Sequence, residues 1–275
     1  MPHLEVEGGF LHYHLADYTD PWLSKSVVLL HHSAGGNLNR WRAWVPYLAR
    51  HHKVLRFDMR GHAGSSEPQG KKFSLSNLSS DISIVMNKLG SDKVHLVGAS
   101  AGGIVSLKFA HDFPEMLHSL SLVASTPKLS QMGSSVDAGA WRNILETQGT
   151  KAWLMADSEK RFGRDADRRV IEWYAEEGAK TSPQMVLALQ ECLLKEDLFP
   201  IIPRITVPTL ILGAADDEIT PGSVQREMAN QIRGAQLEIY ENVGHNMKVE
   251  IPGILASRVR AVSYTHLTLP TNREV

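Results

Sequence analysis

The sequence predicts an α/β fold: a mostly parallel central sheet flanked by helices, with a helical cap inserted into it. Three observations carry this. From residue 27 to residue 124, short apolar runs of strand length alternate with segments of helical period, the pattern of parallel β–α–β units. From 127 to 204 the alternation stops, and the chain is rich in Trp, Met and charge without a buried-strand run. It then resumes with two further apolar runs. The expected organisation is therefore a core from 1–126 and 205–262, with a helical cap at 127–204.

The elements follow in order. Residues 11–15 read as an early strand. Val27-Val28-Leu29-Leu30-His31 is the first strand with both faces buried, because it is apolar without alternation. Residues 38–51 suit a helix and 54–58 the next strand. Residues 73–89 suit a second helix. Lys93-Val94-His95-Leu96-Val97 is another buried strand, and 104–110 continue as a helix that must end before Pro114. Residues 120–124, 208–213 and 237–240 read as strands, and 254–262 as a closing helix. Residues 263–275 have neither amphipathic period nor capping residues. They resemble a translated transposase-type sequencing adapter, so a non-native read-through tail is expected beyond about Ala261, and His266 is set aside.

Composition narrows the function. Net charge is -1, with 29 basic and 30 acidic residues and no basic stripe, so nucleic acid is not an expected partner. The first residues lack a basic segment followed by an apolar one, so no signal peptide is expected. No apolar run reaches membrane-spanning length, and a cytoplasmic protein is the expectation. The single cysteine, Cys192, cannot form an internal disulfide and reads as a buried, inert thiol.

The chemistry is concentrated at strand ends. Gly98-Ala99-Ser100-Ala101-Gly102-Gly103 lies between a buried strand and a helix. A strand, a sharp turn carrying one serine and a helix make the G-x-S-x-G nucleophile elbow. Gly98, Gly102 and Gly103 supply the small residues that such a tight turn needs. The competing reading is a small-residue turn in an ordinary strand–helix unit.

Acyl transfer from a serine also needs a base, an acid that orients it and donors for an oxyanion. Among 13 histidines, position singles out His245, which follows a glycine after the last strand. His95 reads as a packed strand residue. His51, His52, His111 and His118 read as residues of surface helices or their ends. The acid lies in Gly213-Ala214-Ala215-Asp216-Asp217-Glu218-Ile219-Thr220-Pro221. Asp216 and Asp217 compete; Asp217 is favoured because Pro221 opens the next helix four residues on. Oxyanion donors are expected from the Ala101 N–H and from Ala34, in the loop His31-His32-Ser33-Ala34-Gly35-Gly36-Asn37. Asp58 and Arg60 read as braces between loops.

Taken together, these loops resemble the α/β-hydrolase superfamily over about 250 residues. The run from His32 to Trp41 is similar to the oxyanion segment of 3-oxoadipate enol-lactonase-like hydrolases. So are the cap run Trp141-Arg142-Asn143-Ile144-Leu145-Glu146-Thr147-Gln148-Gly149, the later Arg161-Phe162-Gly163, and the re-entry from cap to core at Asp197-Leu198-Phe199-Pro200 and Ile205-Thr206-Val207-Pro208. Departures are Ser33 in place of the usual glycine after histidine, Asn37, Ala63 and Ala99. The resemblance implies an α/β-hydrolase fold and a small-molecule ester or lactone as substrate. Ser100 would attack, His245 would act as base, Asp217 would hold it, and no metal or organic cofactor would be needed. Trp141 and Arg161 are candidate substrate contacts from the cap, against core packing for the one and a surface ion pair for the other. A serine-dependent C–C bond hydrolase and a hydrolase-like ligand receptor or signalling protein are the alternatives.

Overall fold

The apolar runs and one short strand before them form a single sheet. They are β1 (His3–Val6), β2 (Gly9–Ala16), β3 (Val27–His31), β4 (Lys53–Phe57), β5 (Val94–Ala99), β6 (Leu117–Val123), β7 (Thr209–Ala214) and β8 (Gln236–Tyr240). Their order across the sheet is β1-β2-β4-β3-β5-β6-β7-β8. β1–β2 and β2–β4 pair antiparallel, and every other pair is parallel. This computed structural model describes residues 2–267, apart from 23, 72, 132, 134 and 135, and only the backbone of 71 and 264–267.

Strand side chains alternate between the two faces and build two cores. Leu29, Leu55, Leu96, Leu120 and Ile211 face helices α2 (Leu75–Lys88) and α3 (Ala101–Asp112), following the short α1 (Val45–Leu48) in sequence. Val28, Leu30, Val54, Val97 and Leu212 face Trp41, Trp44, Leu48, Leu255 and Val259. Between β6 and β7 the chain forms α4 (Ala138–Ala156), α5 (Ser158–Arg161), α6 (Arg168–Gly178) and α7 (Pro183–Leu193). These pack on one another through a third core that includes Trp141, Leu145, Trp153, Phe162 and Tyr174. After β7 the chain forms α8 (Gly222–Gln231), α9 (Met247–Glu250) and α10 (Pro252–Leu267).

Some local expectations need correction. β1 lies outside the expected strands, because its four residues alternate between exposed and half-buried without an apolar run. Residues 38–51 are not one helix. Leu38–Trp44 is a 3-10 helix, capped by the Asn37 side chain accepting from Asn39 N, and it passes into α1 at Val45–Leu48. His118 lies in β6, and His52 is buried rather than on a surface helix. Cys192 is half-buried, and burial pushes its thiol up. Residues 268–275 lie outside the described residues. So do the side chains from 264 on, and with them His266 and nearly all of the expected tail. Among the described residues, no helix is long and apolar enough to cross a membrane.

Candidate active site

Ser100 stands between β5 and α3 with φ +51° and ψ −119°. That conformation is unfavourable for a residue with a side chain and costs about 1–3 kcal/mol unless its surroundings impose it. Here they do. The Ser100 N–H donates to Val123 O at 3.0 Å. Its carbonyl accepts from Ser125 Oγ at 2.9 Å and Gly103 N at 2.8 Å. The flanking glycines fit for steric reasons. A Cβ on Gly98 would lie 2.7 Å from Gly102 O, and one on Gly102 would lie 2.6 Å from His31 O.

The turn aims Ser100 at His245. Ser100 Oγ lies 2.9 Å from His245 Nε2. On the other side of the ring, His245 Nδ1 lies 2.9 and 3.1 Å from the two carboxylate oxygens of Asp217. The carboxylate fixes the ring proton on Nδ1, which leaves Nε2 to accept from the serine hydroxyl. Asp217 is itself held, accepting from Ile219 N at 2.8 Å, Thr220 N at 2.7 Å and Thr220 Oγ1 at 2.7 Å. Asp216 instead lines a surface groove with Ser158, Glu159 and Gly163. The structure thus brings Asp217, and not Asp216, to the histidine.

Ala34 and Ala101 line the same pocket as Ser100 and His245. Ala101 is the first residue of α3, where an N–H has no acceptor within the helix. Ala34 lies in a turn closed by Gly36 N donating to Ser33 O at 2.9 Å. Among the described residues, neither N–H bonds to another group of the chain. The turn is braced from behind by histidines: His62 Nε2 accepts from Gly35 N at 3.3 Å, and His32 Nε2 accepts from Met59 N at 2.9 Å. Burial pulls His31 and His62 down to about 4, and His32 well below its usual value, so all three are neutral acceptors or donors at pH 7. Asp58 braces as expected, accepting from Leu38 N at 2.7 Å and Gly64 N at 3.1 Å, and Arg60 pairs with Asp81.

Residues 26–251 match the alpha/beta hydrolase fold family. The chain belongs to the α/β-hydrolase family. It is 24% identical over 244 residues to 3-oxoadipate enol-lactonase 2 of Acinetobacter baylyi, covering 86% of this chain and 88% of that protein. It is 26% identical over 235 residues to 2-hydroxy-6-oxo-2,4-heptadienoate hydrolase of Pseudomonas putida, covering 81% of this chain and 83% of that one. The enol-lactonase structure from Burkholderia xenovorans superposes with a TM-score of 0.85 at 24% identity, covering 98% of this chain and 100% of that one.

In this α/β-hydrolase the cap forms the pocket's roof. Trp141, Trp153, Leu154, Arg161 and Tyr174 line it opposite Ser100. The Arg161 guanidinium lies 4.5 Å from the ring centroids of both Trp141 and Trp153. Among the described residues, Arg161 does not form the surface ion pair expected as its alternative role. Arg161 is buried, and its Nε and Nη2 have no hydrogen-bond partner among the described residues. Burial lowers it to about 10, so it is charged at neutral pH. Its backbone carbonyl accepts from Asn246 N at 2.8 Å, which ties it to the loop of His245. Glu250 strengthens this crossing by accepting from Gly163 N at 2.8 Å and Gly244 N at 3.1 Å.

Several residues at the site were not legible in the sequence. Thr220 holds the acid, Trp153 completes the arginine sandwich, and Tyr174, Arg40 and Lys248 form a buried polar cluster beside the Ala34 turn. Only Lys248 had a local signal, three residues after His245. Among the described residues, no group of three or more His, Cys, Asp or Glu side chains is placed to hold a metal.

Proposed function

We propose that the chain is a serine hydrolase that cleaves a carboxylic ester or lactone through an acyl-serine intermediate. The observation that carries the reading is the hydrogen-bonded line from Ser100 Oγ through His245 to Asp217. Ser100 Oγ attacks the carbonyl carbon while His245 Nε2 takes its proton, and Asp217 stabilises the resulting imidazolium. The carbonyl oxygen becomes an oxyanion that accepts from the Ala34 and Ala101 N–H groups. Collapse expels the alkoxide or enolate, which takes the proton from His245. Water then gives its proton to His245 and attacks the acyl-serine. Ser100 departs as the free hydroxyl and the acid is released.

In this reading Trp141 and Arg161 contact the substrate. The buried, unpaired Nε and Nη2 of Arg161 would be satisfied by a substrate acceptor. Family membership and the hydrolase relatives support hydrolysis as the class of activity. The test is turnover of short p-nitrophenyl esters and of simple enol-lactones by the wild type, Ser100→Ala and His245→Ala. Activity in the wild type alone supports the reading. Turnover that survives Ser100→Ala, or none in the wild type on either substrate set, defeats it.

A further inference from the structure

One phenol joins three parts of the chain at this site. Tyr174 comes from cap helix α6, and its ring lies under Arg40, whose Cζ is 3.5 Å from the ring centroid. The Tyr174 hydroxyl lies 3.2 Å from Ser33 Oγ, the residue immediately before Ala34. It also accepts from Lys248 Nζ at 3.3 Å, and that ammonium donates to Asn246 Oδ1 at 3.1 Å, next to His245. Arg40 completes the ring of contacts, donating from Nη1 to Ser33 Oγ at 3.3 Å and from Nη2 to Tyr174 O at 3.0 Å. Ser33, Arg40, Tyr174, Asn246 and Lys248 are all buried.

The cluster is unbalanced in charge. Arg40, Lys248 and Arg161 all act on Tyr174 or are acted on by it, and among the described residues none of the three forms an ion pair with a carboxylate. The nearby acids hydrogen-bond elsewhere: Glu177 with Asn37, Asn39 and Lys180, Glu250 with the N–H groups of Gly163 and Gly244, Asp157 with Trp141 Nε1, and Asp217 with His245 and Thr220. Lys248 can only donate, and Arg40 can only donate. The phenol oxygen is therefore the natural anion of the group. Burial would push Tyr174 up, but Arg40 and Lys248 outweigh it and bring the phenol to about 8.

We propose that Tyr174 is a positioning residue of the hydrolase, acting through Ser33 to place the Ala34 N–H and through Lys248 to place the loop of His245. Ser33, whose Oγ meets both Tyr174 and Arg40, is the link that makes this control possible. The inference rests on the proposed role of Ala34 as an oxyanion donor. A donor displaced by a fraction of an ångström stabilises the transition state less while the ground state binds almost as before, so kcat carries the loss rather than KM.

The test is steady-state kinetics on a p-nitrophenyl ester from pH 6 to 9.5 for the wild type, Tyr174→Phe, Ser33→Ala and the double variant, with thermal melts as a folding check. Each single variant should lose roughly tenfold or more in kcat with KM changed less than about threefold. The double variant should lose no more than the worse single one, because both cut the same link. The wild-type profile should carry an inflection near pH 8 that is absent in Tyr174→Phe. Should Tyr174→Phe fail to fold, Ser33→Ala and its pH profile decide alone. Single variants within about twofold of wild-type kcat, or losses that multiply in the double variant, overturn the proposal while leaving the hydrolase reading intact. A wild type inactive on every ester and lactone instead overturns the hydrolase reading, and the positioning role with it.

Discussion

Lowering the pH from 7 to 5 should destabilise this fold through its neutral buried histidines, and His62 is the place to measure it. His62 donates from Nδ1 to Arg60 O at 3.2 Å and accepts at Nε2 from Gly35 N at 3.3 Å. A proton on Nε2 would face another N–H and break the brace behind the Ala34 turn. Burial lowers the group from 6.5 to about 4. A depressed folded-state value means that the unfolded chain takes up the proton first. The stability is therefore complete above about 6.5 and is lost as pH falls toward 4. With those two values, each such histidine withdraws about 2 kcal/mol between pH 7 and 5. His31, also at about 4, doubles this to about 4 kcal/mol, a large share of the ~5–15 kcal/mol that holds a domain folded. Asp81 and Glu250, raised by burial, act in the opposite direction and offset part of the total. A variant isolates one histidine from that background. His62→Gln keeps an acceptor that cannot titrate, so its loss between pH 7 and 5 should be smaller than the wild type's by about 2 kcal/mol. At an m value near 3 kcal/mol/M, that is a difference of about 0.7 M in the urea midpoint shift, read by tryptophan fluorescence. Equal losses in the two proteins, or an imidazole signal for His62 titrating near 6.5, would refute the reasoning.

Three further outcomes follow from the site. Asp217→Asn should lower kcat by roughly 10³–10⁴, since an amide holds the wrong tautomer of His245, while Asp216→Asn should stay within about threefold of the wild type; kinetics on one ester separates them, and the reverse order moves the acid to Asp216. Arg161→Met should raise KM roughly 10–100-fold for an ester bearing a free carboxylate and leave an uncharged ester of equal length nearly unaffected, as a lost charge-assisted hydrogen bond requires; equal effects on both would remove the arginine from substrate binding. Gly102→Ala should cost about 3 kcal/mol or more, because its Cβ would press on the backbone carbonyls of His31 and His32; a melting temperature within about 2 °C of wild type would contradict this.

The sequence made the core legible for a physical reason. A parallel strand buried on both faces is apolar at every position, so Val27–His31 could be read to the residue. Residues that must sit at strand ends then inherit a position from the strand. Ser100, Asp217 and His245 follow β5, β7 and β8, and their meeting is a consequence of strand order. Where the local signal is weak, the reading failed. β1 is too short and too exposed to leave a pattern. The segment 38–51 has helical composition, but the Asn37 cap and the Asp58 carboxylate on Leu38 N draw its first seven residues into a 3-10 helix. His52 reads as a surface residue because nothing nearby in sequence shows its contacts with Ser26 Oγ and Ser263 Oγ.

The cap follows a different logic, and this bears on how the pocket is divided. No strand fixes the position of Arg161 or Tyr174; what fixes them is backbone contact across the cap–core boundary. A Cβ on Gly163 would meet Asn242 O at 2.5 Å, and one on Gly244 would meet the backbone of Phe162. These two glycines let the loop after α5 and the histidine loop touch, and Glu250 holds both N–H groups at the crossing. The same crossing carries Arg161 O to Asn246 N. Any shift of the cap at this point must therefore move the histidine loop with it. Ser100 is held from the sheet, but the Asp217 loop, His245 and the Ala34 turn share their supports with the cap: Ile219 packs in the cap's core and its carbonyl accepts from Gly133 N at 3.1 Å, Asn246 N donates to Arg161 O, and Ser33 meets Tyr174. A cap substitution that leaves Ser100 and Asp217 untouched should thus act on kcat as well as on substrate choice, which separates this architecture from one whose cap only selects substrates.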